Sequence, residues 1–310
     1  MRPVGGRSEP HCFLGLFVFF VAGAFATELR PVGEKKWPHC FLGVFVFGRG
    51  RDGGGGAAIL DLRIFIGYHL LLELKKMEAL KKFLRSELSG WKPFDIIWFS
   101  GATAAILALS VYLKDSWTSL LAAVSGVACV ILTGKGKRSS FIFGTINNIF
   151  YTIVALGAKY YGEVMLNVIY YLPMNFVGFV VWKKYMNEEN GEVIKKRLPL
   201  SKSLVLYGIT AAAIAVYGFV LKTMGGNLPY IDSMSTVVSV VAQILSIRRL
   251  VEQWVLWIVV NIVTVIMWAI DFSKGGETIS TLAMWSIFLI NAVVMFVRWH
   301  REAKHNEGQV

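Results

Sequence analysis

Eight runs of about twenty mostly apolar residues follow one another along this chain, at roughly 95–113, 117–133, 139–158, 163–182, 203–222, 231–247, 253–270 and 278–298. Coiled into a helix, a run of that length spans the ~30 Å hydrocarbon layer of a bilayer. A helix also satisfies its own backbone N–H and C=O groups, which lipid cannot do. The expected fold is therefore all-α and integral to the membrane, with about eight transmembrane helices. Composition points the same way: 55% of residues are hydrophobic and 17% charged, with a mean hydropathy of +0.56. Soluble domains carry about 25% charge. The three cysteines, Cys12, Cys40 and Cys129, show no CxxC spacing, so neither a disulfide framework nor a zinc site is expected.

A net charge of +12 would suit nucleic acid if it covered one surface. Instead it is sorted by loop. Segments 77–94, 134–140, 183–202, 248–252 and the tail from Arg298 hold 18 lysines and arginines, whereas the alternate loops hold only Lys114, Lys159, Lys222 and Lys274. Basic loops stay cytoplasmic. The pattern predicts both termini in the cytoplasm and accounts for most of the charge with the lipid bilayer, and no nucleic acid, as partner.

Residues 1–76 read differently. Arg2-Pro-Val-Gly and Pro10–Phe19 recur 28 residues later as Arg30-Pro-Val-Gly and Pro38–Phe47, followed by four glycines at 53–56. Two copies are too few to build a solenoid. The first copy also imitates a signal peptide, with Arg2, Arg7, an apolar run and a small-residue site at Ala24–Ala26. His11, Cys12, His39 and Cys40 have no further ligands near them in sequence. The expectation is an atypical extension outside the folded unit, with a natural start at Met77. Residues 77–94 then read as an amphipathic interfacial helix anchored by Trp91, and 95–305 as the membrane domain.

That domain repeats itself. A shift of 113 residues sets Ile131-Leu-Thr on Ile244-Leu-Ser, Lys135 on Arg248, Phe141 on Trp254, Gly144 on Trp257 and Asn148 on Asn261. Three residues more set Asn175 on Asn291. The implied units are three-helix repeats, 117–182 and 231–298, joined by a linking helix at 203–222 and preceded by one extra helix at 95–113. One linking helix returns the second unit in the same orientation, so the repeats are parallel. Transporters built this way bind substrate between the repeats, near mid-membrane.

The chemistry of the spans narrows the function. Asp95, Glu163, Asp232, Glu252 and Asp271 all fall near span ends, so no central ionisable group is expected and proton antiport is disfavoured. No GxxxxGK[ST] motif, Ser/His/Asp set or HExxH is present, so the chain reads as neither an ATP-driven pump nor an enzyme, and it calls for no cofactor or metal. Amides and aromatics do occupy the spans. Trp254, Trp257 and Asn261 stand at about 0°, 300° and 340° around a helix, on one narrow face. Gln243 and Asn291, on the flanking helices, could converge there, and Asn148 with Tyr151 forms the counterpart face in the first repeat; Asn147 and Asn175 are further amides at depth. Each alone could be an interfacial anchor or helix–helix glue. As a set they describe a cavity. Indole faces attract cations and stack flat rings, and amides read carboxamides and sugar hydroxyls. Such a neutral cavity suits an aromatic, hydroxyl-bearing solute, takes an organic cation without a carboxylate, and fits an anion poorly.

The motif Trp254-x-x-Trp257-x-x-x-Asn261, set in eight spans with a 3+1+3 core, resembles the PnuC family over about residues 90–305. The resemblance implies a fold similar to the SWEET sugar transporters. It implies a transporter of the vitamin B3 precursor nicotinamide riboside in the bacterial inner membrane, with Trp254, Trp257 and Asn261 as motif residues. It further implies facilitated diffusion, with phosphorylation inside the cell trapping the product, and a homotrimer. Transport of thiamine, riboflavin or a sugar is the alternative, and a membrane scaffold subunit with no small-molecule site is the second.

Overall fold

The structure is a computed structural model that describes residues 55–112, 114–223, 229–273 and 279–307. The direct repeat over residues 2–47, with Cys12 and Cys40, lies outside the described residues. The chain divides into two units, Met1–Arg85 and Ser86–Val310. Helix α1, Gly55–Leu88, runs through Met77 without a break. Eight further helices are each long and apolar enough to cross a membrane. They are α2 (Pro93–Tyr112), α3 (Trp117–Lys135), α4 (Ser139–Gly157), α5 (Tyr161–Lys183), α6 (Leu200–Thr223), α7 (Pro229–Ile247), α8 (Gln253–Ser273) and α9 (Ile279–Glu307). They correspond one to one to the apolar runs in the sequence. Within α5 the residues Leu166–Tyr171 form a π-helical segment.

The duplication is visible in the packing. In each repeat the first helix packs on the second and the second on the third. Across repeats the third helix packs on the first helix of the other unit, α9 on α3 and α5 on α7. Helix α2 lies against α3 as α6 lies against α7, so the extra helix and the linking helix occupy matching places.

The same symmetry extends to single atoms. Helix α3 stops at Gly136 (φ 81°) and α7 at Arg249 (φ 64°), two left-handed residues 113 positions apart. Left-handed backbone ends helices and favours glycine. At Arg249 the side chain is held in place: its guanidinium lies 3.5 Å over the Tyr185 ring and donates to the Ile194 carbonyl at 3.2 Å. One loop serves both turns. Val193 N–H donates to the Gly136 carbonyl, and Lys196 N–H to the Arg249 carbonyl, both at 2.9 Å.

Two tryptophans complete the cross-bracing. Trp182, near the end of α5, donates from Nε1 to the Ser246 carbonyl of α7 at 3.1 Å, and Trp299 in α9 donates to the Gly134 carbonyl of α3 at 2.6 Å. Both indoles are fully buried. They supply donors to carbonyls that the last turn of a helix leaves without intrahelical partners. Close approach at this point requires Gly134, where an added Cβ would meet Met295 Cγ at 2.4 Å.

Charge is buried at this same end. Lys137 Nζ lies 2.7–2.9 Å from the carbonyls of Ser86, Ser89, Asn190 and Gly191, and burial draws its ammonium down to about 8, against the pull of Glu192 and Glu87. Lys135 pairs with Asp95 and Glu192, each at 2.7 Å, and Arg298 and Lys195 extend the network to Asp95 and Glu302. Several of the basic residues counted in the loops are thus inside the fold, matched by acids.

Replacing the Trp299 indole by a ring without a donor orphans the buried Gly134 carbonyl, at a cost of about 1–3 kcal/mol, whereas the Ser246 carbonyl bonded by Trp182 keeps the Arg249 N–H at 2.9 Å. Trp299→Phe is expected to lower the thermal unfolding temperature in detergent by several degrees, and Trp182→Phe by less. An unchanged transition in either variant would show that its brace carries no load.

Candidate functional site

Between the repeats, α3, α4, α5, α7, α8 and α9 enclose a cavity of about 950 Å³, counting its open mouth. The interfaces of α9 with α3 and of α5 with α7 set its walls, so the site is a product of the duplication. Helix α8 presents Trp254, Trp257 and Asn261 to it, as the single face drawn from their spacing requires. Helix α4 presents Asn148 and Tyr151, α7 presents Gln243, and α9 presents Asn291. The structure thus brings all seven residues singled out in the sequence to one cavity, along with Asn147 and Asn175.

Their environments differ. Asn291 is fully buried and fully bonded: its Oδ1 accepts from Trp98 Nε1 at 3.2 Å, and its Nδ2 donates to the Val130 carbonyl at 3.0 Å. Tyr151 is also fixed, its hydroxyl accepting from Trp268 Nε1 at 3.2 Å. Asn147 donates to the Ala122 carbonyl at 2.8 Å. These three shape the wall.

The remaining amides are free to act. Asn148 and its repeat counterpart Asn261 are both buried, and neither side chain has a hydrogen-bond partner among the described residues. Gln243 Nε2 reaches Asn175 Oδ1 only at 3.5 Å, which leaves Asn175 Nδ2 without an acceptor. Two indole N–H groups on the cavity wall, Trp254 Nε1 and Trp285 Nε1, likewise have no acceptor. Buried donors are nearly always paired, and each one left unmet costs about 1–3 kcal/mol. A cluster of them facing one space is arranged for a polar occupant. Aromatic surface adjoins these donors, since Trp257 and Tyr171 line the same cavity, in tilted contact with ring centroids 6.4 Å apart and planes inclined by 37°.

Sequence reasoning overlooked Tyr171, Trp285 and Glu163, which also line the cavity. Glu163 lies in the first turn of α5, near a span end as expected, yet it borders the cavity, so the expectation of a neutral site is corrected. Glu163, Asn167 and Tyr171 stand four residues apart on one face of α5, which carries a π-helical turn at Leu166–Tyr171, and all three line the cavity. The place of Glu163 near a span end hid this, because it says nothing of which face α5 turns to its neighbours; π-helical turns are frequent at functional sites. No lysine or arginine lines the cavity among the described residues.

Both the sequence and the fold resemble known proteins. A family model described as nicotinamide mononucleotide transporter matches residues 116–301. The nicotinamide riboside transporter PnuC of Neisseria mucosa is 39% identical over 242 residues, which is 76% of this chain and 91% of that protein. Its namesake in Haemophilus influenzae is 35% identical over 219 residues, 70% of this chain and 94% of that one. A crystal structure of the vitamin B3 transporter PnuC matches with a TM-score of 0.66 at 38% identity, covering 72% of this chain and 97% of its own.

The two classes of asparagine respond differently to truncation. Asn291→Ala strands the buried Trp98 Nε1 and removes the tie to the Val130 carbonyl, and is expected to lower the unfolding temperature of the empty protein by several degrees. Asn261→Ala removes an amide with no protein partner and is expected to leave that temperature unchanged or slightly raised. Thermal scans in detergent without ligand decide this; the opposite ranking would overturn the division into wall and open amides.

Proposed function

The chain belongs to the PnuC family of membrane transporters, and we propose that it carries nicotinamide riboside across the bacterial inner membrane, using the cavity between its repeats. The observation behind this reading is the cluster of unpartnered amide and indole donors beside an aromatic surface. Nicotinamide riboside offers what each requires: a flat cationic ring for Trp257 and Tyr171, a carboxamide for one amide pair, and ribose hydroxyls for the other. Asn148, Asn261, Asn175 and Gln243 can serve as donors and acceptors without altering charge. Trp254 adds an N–H donor, while Asn291 and Tyr151 hold the walls apart. The nucleoside suits this cavity better than its phosphorylated mononucleotide, because no Lys or Arg among the described residues lines it to meet a phosphate dianion.

Transport then consists of rocking one repeat against the other around a fixed site. No chemical step takes place on the chain. Net uptake follows the concentration gradient and is sustained by phosphorylation inside the cell, which converts the solute into an anion that the cavity accepts poorly. The uneven loop charge supports cytoplasmic termini. The homotrimer implied by the family resemblance remains part of this reading.

Two measurements test it. Calorimetric titration of the detergent-solubilised protein is expected to show saturable binding of nicotinamide riboside, much weaker binding of the mononucleotide, thiamine and riboflavin, and about tenfold or greater weakening in Asn261→Ala and Trp257→Ala. Wild-type affinity in both variants removes these residues from the site, and a preference for another solute replaces the substrate. In liposomes, labelled nicotinamide riboside is expected to equilibrate to equal concentrations inside and out, with no response to imposed sodium or proton gradients. Accumulation against its gradient would rule out facilitated diffusion.

A further inference from the structure

Among the described residues lining the cavity, Glu163 is the only carboxylate, and it has no cationic neighbour. The acids at the opposite end of the bundle are treated differently. Asp95 pairs with Lys135 and Arg298, Glu192 with Lys135 and Lys195, and Glu302 with Lys195 and Arg298. Glu163 is half-buried, and its carboxylate takes part in no ion pair or hydrogen bond among the described residues. Asn167, one turn along, spends its amide N–H on the Glu163 backbone carbonyl at 2.7 Å and leaves the carboxylate alone. The contrast is sharper because the chain as a whole carries +12. A protein with 32 lysines and arginines places none of those the structure describes on the cavity wall, and places one unpaired acid there.

An unpaired carboxylate in a water-poor wall is costly to keep. A cation within about 4–6 Å offsets that cost and holds the ionised form. The described residues supply no such cation at the cavity, so a bound solute is its natural source. Two aromatic rings that line the same space, Tyr171 and Trp257, attract positive charge through their faces. Carboxylate and ring faces thus favour the same class of occupant, a flat organic cation.

We infer that Glu163 is the charge-selecting residue of the transport site: its carboxylate is the counter-charge for a cationic aromatic ring and discriminates against neutral isosteres and against phosphorylated, anionic forms. This rests on the reading that the cavity binds nicotinamide riboside. It adds a residue and a selection rule that neither the Trp-Trp-Asn face nor the amides provide, since both are neutral. It also gives the trapping step a structural basis, because the acid that attracts the nucleoside repels the nucleotide made from it.

The test compares two ligands of nearly the same shape. In benzamide riboside a neutral benzene ring replaces the pyridinium, while the carboxamide and ribose are kept. Full-length wild-type protein, Glu163→Gln and Glu163→Asp are titrated calorimetrically with each ligand, and thermal scans confirm folding; Glu163→Gln strands no protein partner. Wild type is expected to prefer nicotinamide riboside by about tenfold or more. Glu163→Gln is expected to lose that preference by weakening nicotinamide riboside alone, with benzamide riboside changed by less than about twofold, and Glu163→Asp to recover part of it. Unchanged nicotinamide riboside affinity in Glu163→Gln, or equal weakening of both ligands, overturns the inference while leaving the transport reading intact. If wild type binds cationic thiamine instead of nicotinamide riboside, and Glu163→Gln weakens thiamine but not neutral riboflavin, the substrate is wrong and the counter-charge stands. If wild type binds no organic cation, both fail.

Discussion

The cavity between the repeats depends on how two three-helix units are held against each other, and two indole N–H groups cross that interface. Trp182 reaches from the first repeat to the Ser246 carbonyl in the second, and Trp299 reaches back to Gly134. Lipid gives helices no hydrophobic reason to associate, so packing and interhelical hydrogen bonds must do so. The carbonyls chosen are the ones a helix terminus leaves over. One bond therefore satisfies a backbone acceptor and registers the two repeats. The loop that touches both the Gly136 and Arg249 turns adds a second tie at the same level. With one end of the interface braced, the space between the units can be left partly unfilled, and that space is the cavity.

The cavity shows how one residue type divides into two roles within a few ångströms. Asn291 and Asn148 are chemically identical and both buried. The first is bonded on both sides by Trp98 and Val130, while the second has no partner among the described residues. Helix–helix glue and ligand recognition are thus not alternatives for the site as a whole; they are assigned residue by residue according to what each amide touches. The duplication sharpens the point. Asn148 and Asn261, which correspond under the 113-residue shift, are the open pair, as expected if the ligand sits across the pseudo-symmetry axis.

Electrostatics is organised along the length of the bundle. At the braced end, Lys135, Lys137, Lys195 and Arg298 are withdrawn from water and matched by acids or carbonyls, so part of the basic surplus is structural. At the other end, Glu163 has no ion-pair or hydrogen-bond partner among the described residues and lines the cavity with Tyr171 and Trp257. A single rule governs both: a charge removed from water needs a partner. The protein provides that partner at the braced end; in the reading proposed for Glu163, a cationic solute provides it at the cavity.

Much of this was legible in the sequence. Run lengths near twenty set the number of spans, because bilayer thickness and backbone hydrogen bonding leave no other solution. The 100° spacing of residues on a helix placed Trp254, Trp257 and Asn261 on one face, and the 113-residue shift paired Asn148 with Asn261, because both depend only on local helix geometry and chain order. Which amides would be consumed by the fold was not legible, since Trp98 and Val130 lie 193 and 161 residues from Asn291. The facing of Glu163 was hidden too, because its place near a span end does not say which face α5 turns to α4 and α7. Linear order therefore determined which helices exist and which side chains share a face. Tertiary structure alone decided which polar groups are satisfied within the protein and which remain for a ligand, because that depends on atoms brought within 3 Å of one another from distant parts of the chain.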